Sequence, residues 1–171
     1  HGTDLSFKIL NLRRNTEYKF RLQAKNEEGS SQWSDAVVYR TLPDCPSAPP
    51  RPHLKSKTHS QFTITWESCK DSGGSPVTKY LLEIDAGRGF EHIYEGEDRE
   101  FICERLMPGQ NYRLRVSCCS NGGQSAWSDV LTAQTNAVAP GQCLPPVLCS
   151  KAKSTSLQLK WLVPDSTGGA P

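Results

Sequence analysis

The sequence predicts an all-β chain of tandem two-sheet sandwiches. Three observations carry this: a repeat of 94 to 95 residues, short runs of alternating apolar residues, and proline-rich stretches where one repeat meets the next. Leu12, Tyr18, Trp33, Ser34, Asp35 and Thr41 recur 94 positions on as Leu106, Tyr112, Trp127, Ser128, Asp129 and Thr135. Trp66, Gly73, Gly74 and Pro76 recur 95 positions on as Trp161, Gly168, Gly169 and Pro171. Two registers with almost one spacing mark a repeat architecture. They divide the chain into the back part of one repeat (1–42), a whole repeat (43–137) and the front of a third (138–171).

Within the whole repeat, Phe62, Ile64 and Trp66 share one face of the first clear strand, and Tyr80, Leu82 and Ile84 one face of the next. A third strand turns Tyr112, Leu114, Val116 and Cys118 inward, because side chains alternate across a sheet. Arg113, Arg115 and Ser117 are then expected to face solvent. No stretch has helical period, and six or seven short strands bounded by Gly, Pro, Ser and Asp imply two packed sheets. On the same count, residues 1–42 hold the last three strands of a sandwich and residues 138–171 the first two. The junctions, Leu42-Pro43-Asp44-Cys45-Pro46 with Pro49-Pro50 and Pro140 with Pro145-Pro146, end strand pairing and act as short semi-rigid spacers, since proline lacks the amide donor and fixes φ.

Composition narrows the function class. Of 171 residues, 36% are hydrophobic and 8% aromatic, too many for a disordered chain. With 20 basic and 18 acidic side chains the net charge is only +2, so no strong field would gather nucleic acid. No apolar run is long enough for a membrane span, and the first residues lack the features of a signal peptide. The chain starts without Met inside a partial repeat, and so reads as an excerpt of something longer. Seven cysteines cannot all pair with one another, and no Asn-x-Ser/Thr acceptor occurs; both lean toward a reducing compartment.

Leu12 and Tyr18, like Leu106 and Tyr112, stand six residues apart just ahead of an alternating strand. In a sandwich this spacing makes a tyrosine corner, a buried ring whose hydroxyl bonds back to the main chain. Together with the strand tryptophans Trp66 and Trp161, these positions resemble the fibronectin type III fold, an immunoglobulin-like β-sandwich, over essentially the whole chain. The wording N-L-R-R-N-T-E-Y-K-F (11–20), D-S-G-G (71–74), Y-R-L-R-V (112–116) and G-G-Q-S-A (122–126) is similar to the fibronectin type III domain-containing protein 3 group. That resemblance implies many such domains, a single C-terminal membrane anchor outside these residues, and an intracellular place on Golgi or endoplasmic reticulum membranes.

The candidate interaction residues fall in two places. Ser30 to Ser34 and Gln124 to Ser128 are similar to the latter part of the W-S-x-W-S box of cytokine receptors, without its first Trp. There Trp33 can stack on Lys19 or Arg21, and Trp127 on Arg113 or Arg115, as a cation–π contact. Such a ladder serves either to stabilise the surface or to bind a partner. The second place is the loop Asp71-Ser72-Gly73-Gly74, matched by Thr167-Gly168-Gly169. It has neither the helix start nor the Lys of a phosphate loop, and reads as a structural turn or a partner-binding loop at one end of the sandwich.

Other features read as structural. Gly87-Arg88-Gly89-Phe90 lacks the acid of an adhesion loop and suits a hairpin turn. Cys118 and Cys119 are adjacent and face opposite ways, and Cys103, Cys143 and Cys149 show no zinc spacing. His1, His53, His59 and His92 have no catalytic neighbours at a useful spacing. The sequence therefore predicts no catalytic residues, metal or cofactor, and a monomeric protein-interaction and spacer module of a membrane-tethered multidomain protein, whose partners are proteins. The alternatives are the ectodomain of a cell-surface adhesion or cytokine-type receptor, and an accessory domain of a larger enzyme.

Overall fold

The computed structural model describes residues 2–170; His1 and Pro171, the last member of the 95-residue register, lie outside them. Every regular element among the described residues is a strand. The leading segment carries β1 (Glu17–Phe20), β2 (Lys25–Asn26), β3 (Gly29–Ser30) and β4 (Val37–Arg40). The central sandwich carries β5 (His53–Lys57), β6 (Phe62–Thr65), β7 (Val77–Asp85), β8 (Glu91–Gly96), β9 (Glu100–Cys103), β10 (Asn111–Ser120), β11 (Gly123–Gln124) and β12 (Leu131–Gln134). The trailing segment carries β13 (Val147–Leu148) and β14 (Leu159–Lys160).

In the central sandwich one sheet has the order β5-β6-β9. The other runs β11-β10-β7-β8, with β12 also paired to β10. All pairings are antiparallel. The apolar alternation dictates which faces meet. Phe62 and Ile64 from one sheet, and Leu82, Leu114, Val116 and Cys118 from the other, are fully buried between them. Trp66 closes one end of this core against Tyr80 and Tyr94, with ring centroids 6.1 and 5.7 Å away. Tyr112 meets Phe62 edge-on at 5.8 Å, a favoured aromatic geometry.

Both tyrosine hydroxyls reach back to the main chain. Tyr112 Oη accepts from the Met107 amide at 2.8 Å and Tyr18 Oη from the Arg13 amide at 2.7 Å, each across five residues. The recurring threonines hold the same loops from the other side. Thr135 Oγ1 donates to Met107 O at 2.6 Å and accepts from the Gln110 amide, while Thr41 Oγ1 donates to Arg13 O at 2.5 Å and accepts from the Thr16 amide.

Two expectations need correction. Ser117 lies on the outer face of β10 yet is fully buried, because Gln124 folds across it and donates Nε2 to Ser117 Oγ at 3.0 Å. The three strands expected in residues 1–42 reduce to a paired β1–β4 ladder extended by the β2–β3 hairpin. Residues 6–9 hold the position of β9, 94 residues earlier, and form no ladder. The reason is pairing: β9 bonds only to β6, and among the described residues no counterpart of β6 precedes residue 6. Leu5 and Phe7 are correspondingly exposed. Trp161, the equivalent of Trp66, is 71% exposed against 3% for Trp66, since among the described residues no second sheet covers the β13–β14 pair.

Candidate functional site

The outer face of the β7–β10 pair presents a stack of aromatic and charged side chains. The β-ladder sets Arg113 opposite Asp85 and Arg115 opposite Glu83, so each arginine gains a cross-strand carboxylate. Arg115 donates Nε to Glu83 at 2.8 Å, and Arg113 donates Nε to Asp85 Oδ2 at 3.0 Å. Arg115 lies against two rings, its guanidinium carbon 3.9 Å from the Phe90 centroid and 4.6 Å from that of Trp127. The Arg113 guanidinium carbon also lies over the Phe90 ring, 5.4 Å from its centroid. In the leading segment Arg21, which is 94 residues before Arg115, covers Trp33 at 4.2 Å. Of the two cations expected beside each tryptophan, the second of each pair makes the stack, and Arg113 turns to Phe90 instead.

Asp85 organises the turn that delivers Phe90. Its carboxylate accepts from the Gly87 and Gly89 amides at 2.6 and 2.9 Å, and both glycines have positive φ, 99° and 112°, which glycine adopts at no steric cost. The Arg113 guanidinium first, and then these two amides, hold the Asp85 carboxyl down to about 2. The loop around Arg88 is thus a hairpin turn built around a buried carboxylate.

Trp127 is aimed outward by its neighbours. The Ser125 and Ser128 amides donate to Cys118 O and Val116 O at 2.8 Å, while Ser125 Oγ and Ser128 Oγ accept from the Cys118 and Val116 amides at 3.0 Å. Three residues on this segment oppose two on β10, so main-chain carbonyls cannot serve every strand amide and serine hydroxyls replace them. Ser31 and Ser34 do the same for Ala24 and Leu22 around Trp33. The sequence gives no role to Glu83 or Asp85, and it places Phe90 only in a hairpin turn and the two inner serines, Ser31 and Ser125, only within the tryptophan segments. The serines carried a signal, since Ser31 and Ser125 are 94 residues apart.

Ser72, Gly73 and Gly74 lie elsewhere, where the leading segment, the linker and the central sandwich meet. Gly73 O accepts from the Asp44 amide at 2.9 Å, and Gly74 O accepts from Asn15 Nδ2 at 2.6 Å. In the same corner the Gly73 amide first, and then the paired Arg14, keep the Asp71 carboxyl below its ordinary range. Among the described residues no group of three or more His, Cys, Asp or Glu side chains could hold a metal ion. Among them, too, no helix is long and apolar enough to cross a membrane.

The family model for the fibronectin type III domain matches residues 47–134. Mouse fibronectin type-III domain-containing protein 3A is 48% identical over 174 aligned residues, covering 99% of this chain and 14% of that protein. Mouse fibronectin type III domain containing protein 3C1 is 42% identical, covering 93% of this chain and 12% of its own length. The chain therefore spans about one seventh of the length of these curated relatives. Among solved structures, a human fourth FNIII domain aligns with a TM-score of 0.56 at 45% identity, covering 64% of this chain and 94% of that one. The buried sandwich core, the hydroxyl-pinned tyrosine and the matched family model lead to one conclusion: the chain belongs to the fibronectin type III domain family.

Proposed function

We propose that the chain is a non-catalytic protein-interaction and spacer module of a membrane-tethered multidomain protein, acting inside the cell on Golgi or endoplasmic reticulum membranes. The observation that carries the interaction half is the Phe90–Arg115–Trp127 stack. Half-buried rings locked by a buried-carboxylate turn and by serine bonds form a preorganised surface of the residue types that dominate binding hot spots. Preorganisation matters because a side chain already held in place loses little entropy on binding. The spacer half is supported by the repeat itself and by the proline-rich linkers. The membrane and location parts rest on the resemblance to the protein 3 group.

The test couples cross-linking capture of partners to single substitutions. Trp127→Ala and Phe90→Ala should each reduce recovery of a bound protein at least about tenfold, as expected of hot-spot residues, while Lys55→Ala on the opposite sheet leaves it unchanged. Equal recovery from all three variants would remove the stack from the binding surface. For location, the longer protein carrying this chain should fractionate with Golgi or endoplasmic reticulum membranes; recovery in the culture medium would overturn that part.

A further inference from the structure

The Gly73–Gly74 loop does not hang free at the end of the sandwich, and its repeat does the same thing. In the first junction the Asp44 amide donates to Gly73 O at 2.9 Å and the Ser47 amide to Asp71 O at 2.8 Å. In the second, 94 to 95 residues on, the Val138 amide donates to Gly168 O and the Gly141 amide to Ser166 O, both at 2.8 Å. The linker thus pairs with the loop through the same two bonds each time. Its other side is held by the preceding repeat: the Asn15 amide donates to Leu42 O at 3.1 Å, and the Gly109 amide to Asn136 O at 3.2 Å.

The glycines are dictated by this packing. Gly73 and Gly168 have φ of 76° and 70°, and a Cβ on either would fall inside the carbonyl group of Asp44 or Val138. The second glycine of each pair faces the preceding repeat. A Cβ on Gly74 would lie 3.2 Å from Arg14 Cγ and 3.4 Å from Asn15 Cβ, and one on Gly169 would overlap Pro108 and Gly109. Residues 14 and 15 precede 108 and 109 by 94 positions, so both junctions use equivalent loops. Asn15 and Gly109 are themselves left-handed, with φ of 48° and 65°, a conformation that Asn and Gly enter most readily. Each junction therefore needs three positive-φ residues, two in one repeat and one in the repeat before it.

We infer that the Gly–Gly loop is a joint: it clamps the incoming linker with its first glycine and docks on the Arg14–Asn15 or Pro108–Gly109 loop of the preceding repeat with its second, so that successive repeats keep one relative orientation. The first joint carries an added ionic clamp, Arg14 with Asp71 and, at 3.9 Å, with Asp44. The second has Pro108, Ser166 and Val138 at the equivalent positions and relies on main-chain bonds and close packing. A loop so engaged is taken up by the array itself and is not open to an outside partner. The inference deepens the spacer half of the proposed function.

The test needs no partner, so its failure is separate from failure of the binding surface. In the isotope-labelled 171-residue chain, the Asp44, Ser47, Val138 and Gly141 amides should exchange slowly. Through-space magnetic contacts should join Asn15 to Gly74 and Gly109 to Gly169. Gly73→Ala should speed exchange at Asp44 and Ser47 roughly tenfold or more and leave Val138 and Gly141 unchanged. Asn15→Gly keeps the left-handed backbone and removes the bond to Gly74 O together with the 3.5 Å bond from Arg40 within the leading segment, and should abolish the first cross-repeat contact alone. Should Gly73→Ala not fold, as judged by the Leu82, Leu114 and Val116 amides, Asn15→Gly and Gly169→Val decide between the outcomes. Linker amides that exchange like an unstructured peptide, or absent cross-repeat contacts in the unaltered chain, would overturn the joint.

Discussion

Replacing Tyr112 by Phe removes one oxygen from the centre of the fold. The ring is 5% exposed and keeps its edge contact with Phe62, so nearly all its apolar burial survives. What is lost is the 2.8 Å bond from the Met107 amide. Such a bond contributes about 1 kcal/mol net, rising toward 3 where the abandoned donor stays dry. Met107 sits on an exposed loop, the residue 66% accessible and its bond to Tyr112 only part-buried, so water can reach the freed amide and the cost should be about 1 to 2 kcal/mol. With a urea slope of about 1 to 3 kcal/mol/M for a small domain, the midpoint followed by tryptophan fluorescence should fall by roughly 1 M without a change in slope. Thr135→Val frees the carbonyl of the same residue, Met107, by removing the Thr135 Oγ1 bond at 2.6 Å. The two substitutions share a loop, so their costs should not add; a coupling of roughly 0.5 kcal/mol or more is expected from the double-mutant cycle. An unchanged midpoint for Tyr112→Phe, or strict additivity, would refute the reasoning.

Asp85 is held well below its unfolded carboxyl value, down to about 2, so it stabilises the fold above about pH 4, and that contribution is lost as pH falls from 4 toward 2. Asp85→Asn should flatten the acid limb of the stability profile over that window, and an unaltered limb would rule the turn out as its source. Burial pushes the Cys103 thiol up to about 12 and the Cys118 thiol up to about 11, so both should resist alkylation of the folded chain at pH 8. The exposed Cys45, Cys143 and Cys149 should label rapidly; mass spectrometry after timed labelling checks the order, and early loss of Cys103 would contradict the packing. Arg115→Ala removes a stack between two rings and should cost about 1 kcal/mol in urea denaturation, whereas Arg88→Ala on the exposed turn should cost nothing measurable.

Much of the sandwich could be read before any coordinates, because alternation within a strand is a local property. Phe62, Ile64, Leu82, Leu114, Val116 and Cys118 declare their face by spacing alone, and all six are buried. What could not be read depends on which strand lies opposite which. Phe90 looks like the end of a hairpin, and only the β7–β10 register brings it over Arg115. Ser117 alternates as a solvent residue, and its burial depends on a side chain seven positions away. The unpaired residues 6–9 show the same limit, since a strand needs a neighbour as well as a propensity. The tryptophans of the stack were legible and the carboxylates that position their arginines were not, because cross-strand partners leave no trace in local spacing. For the Gly–Gly loop the sequence marks the repeat of a glycine pair but not what crowds it.

The serine bonds beside Trp127 bear on a hazard every repeated sandwich faces. A chain of similar domains keeps ready-made aggregation partners tethered nearby, at effective concentrations on the order of millimolar for short linkers, and an open strand edge is a template for joining them. Along residues 125–129 that template is incomplete. The hydroxyls that receive the β10 amides also donate to the carbonyls of Ala126 and Asp129 at 2.8 and 2.9 Å, so these outward acceptors are already engaged. A foreign strand arriving there meets a three-residue rhythm it cannot match with its own period of two, and an indole standing on a guanidinium in its path. The side chains that orient the half-buried tryptophan thus also discourage fusion with the neighbouring repeat.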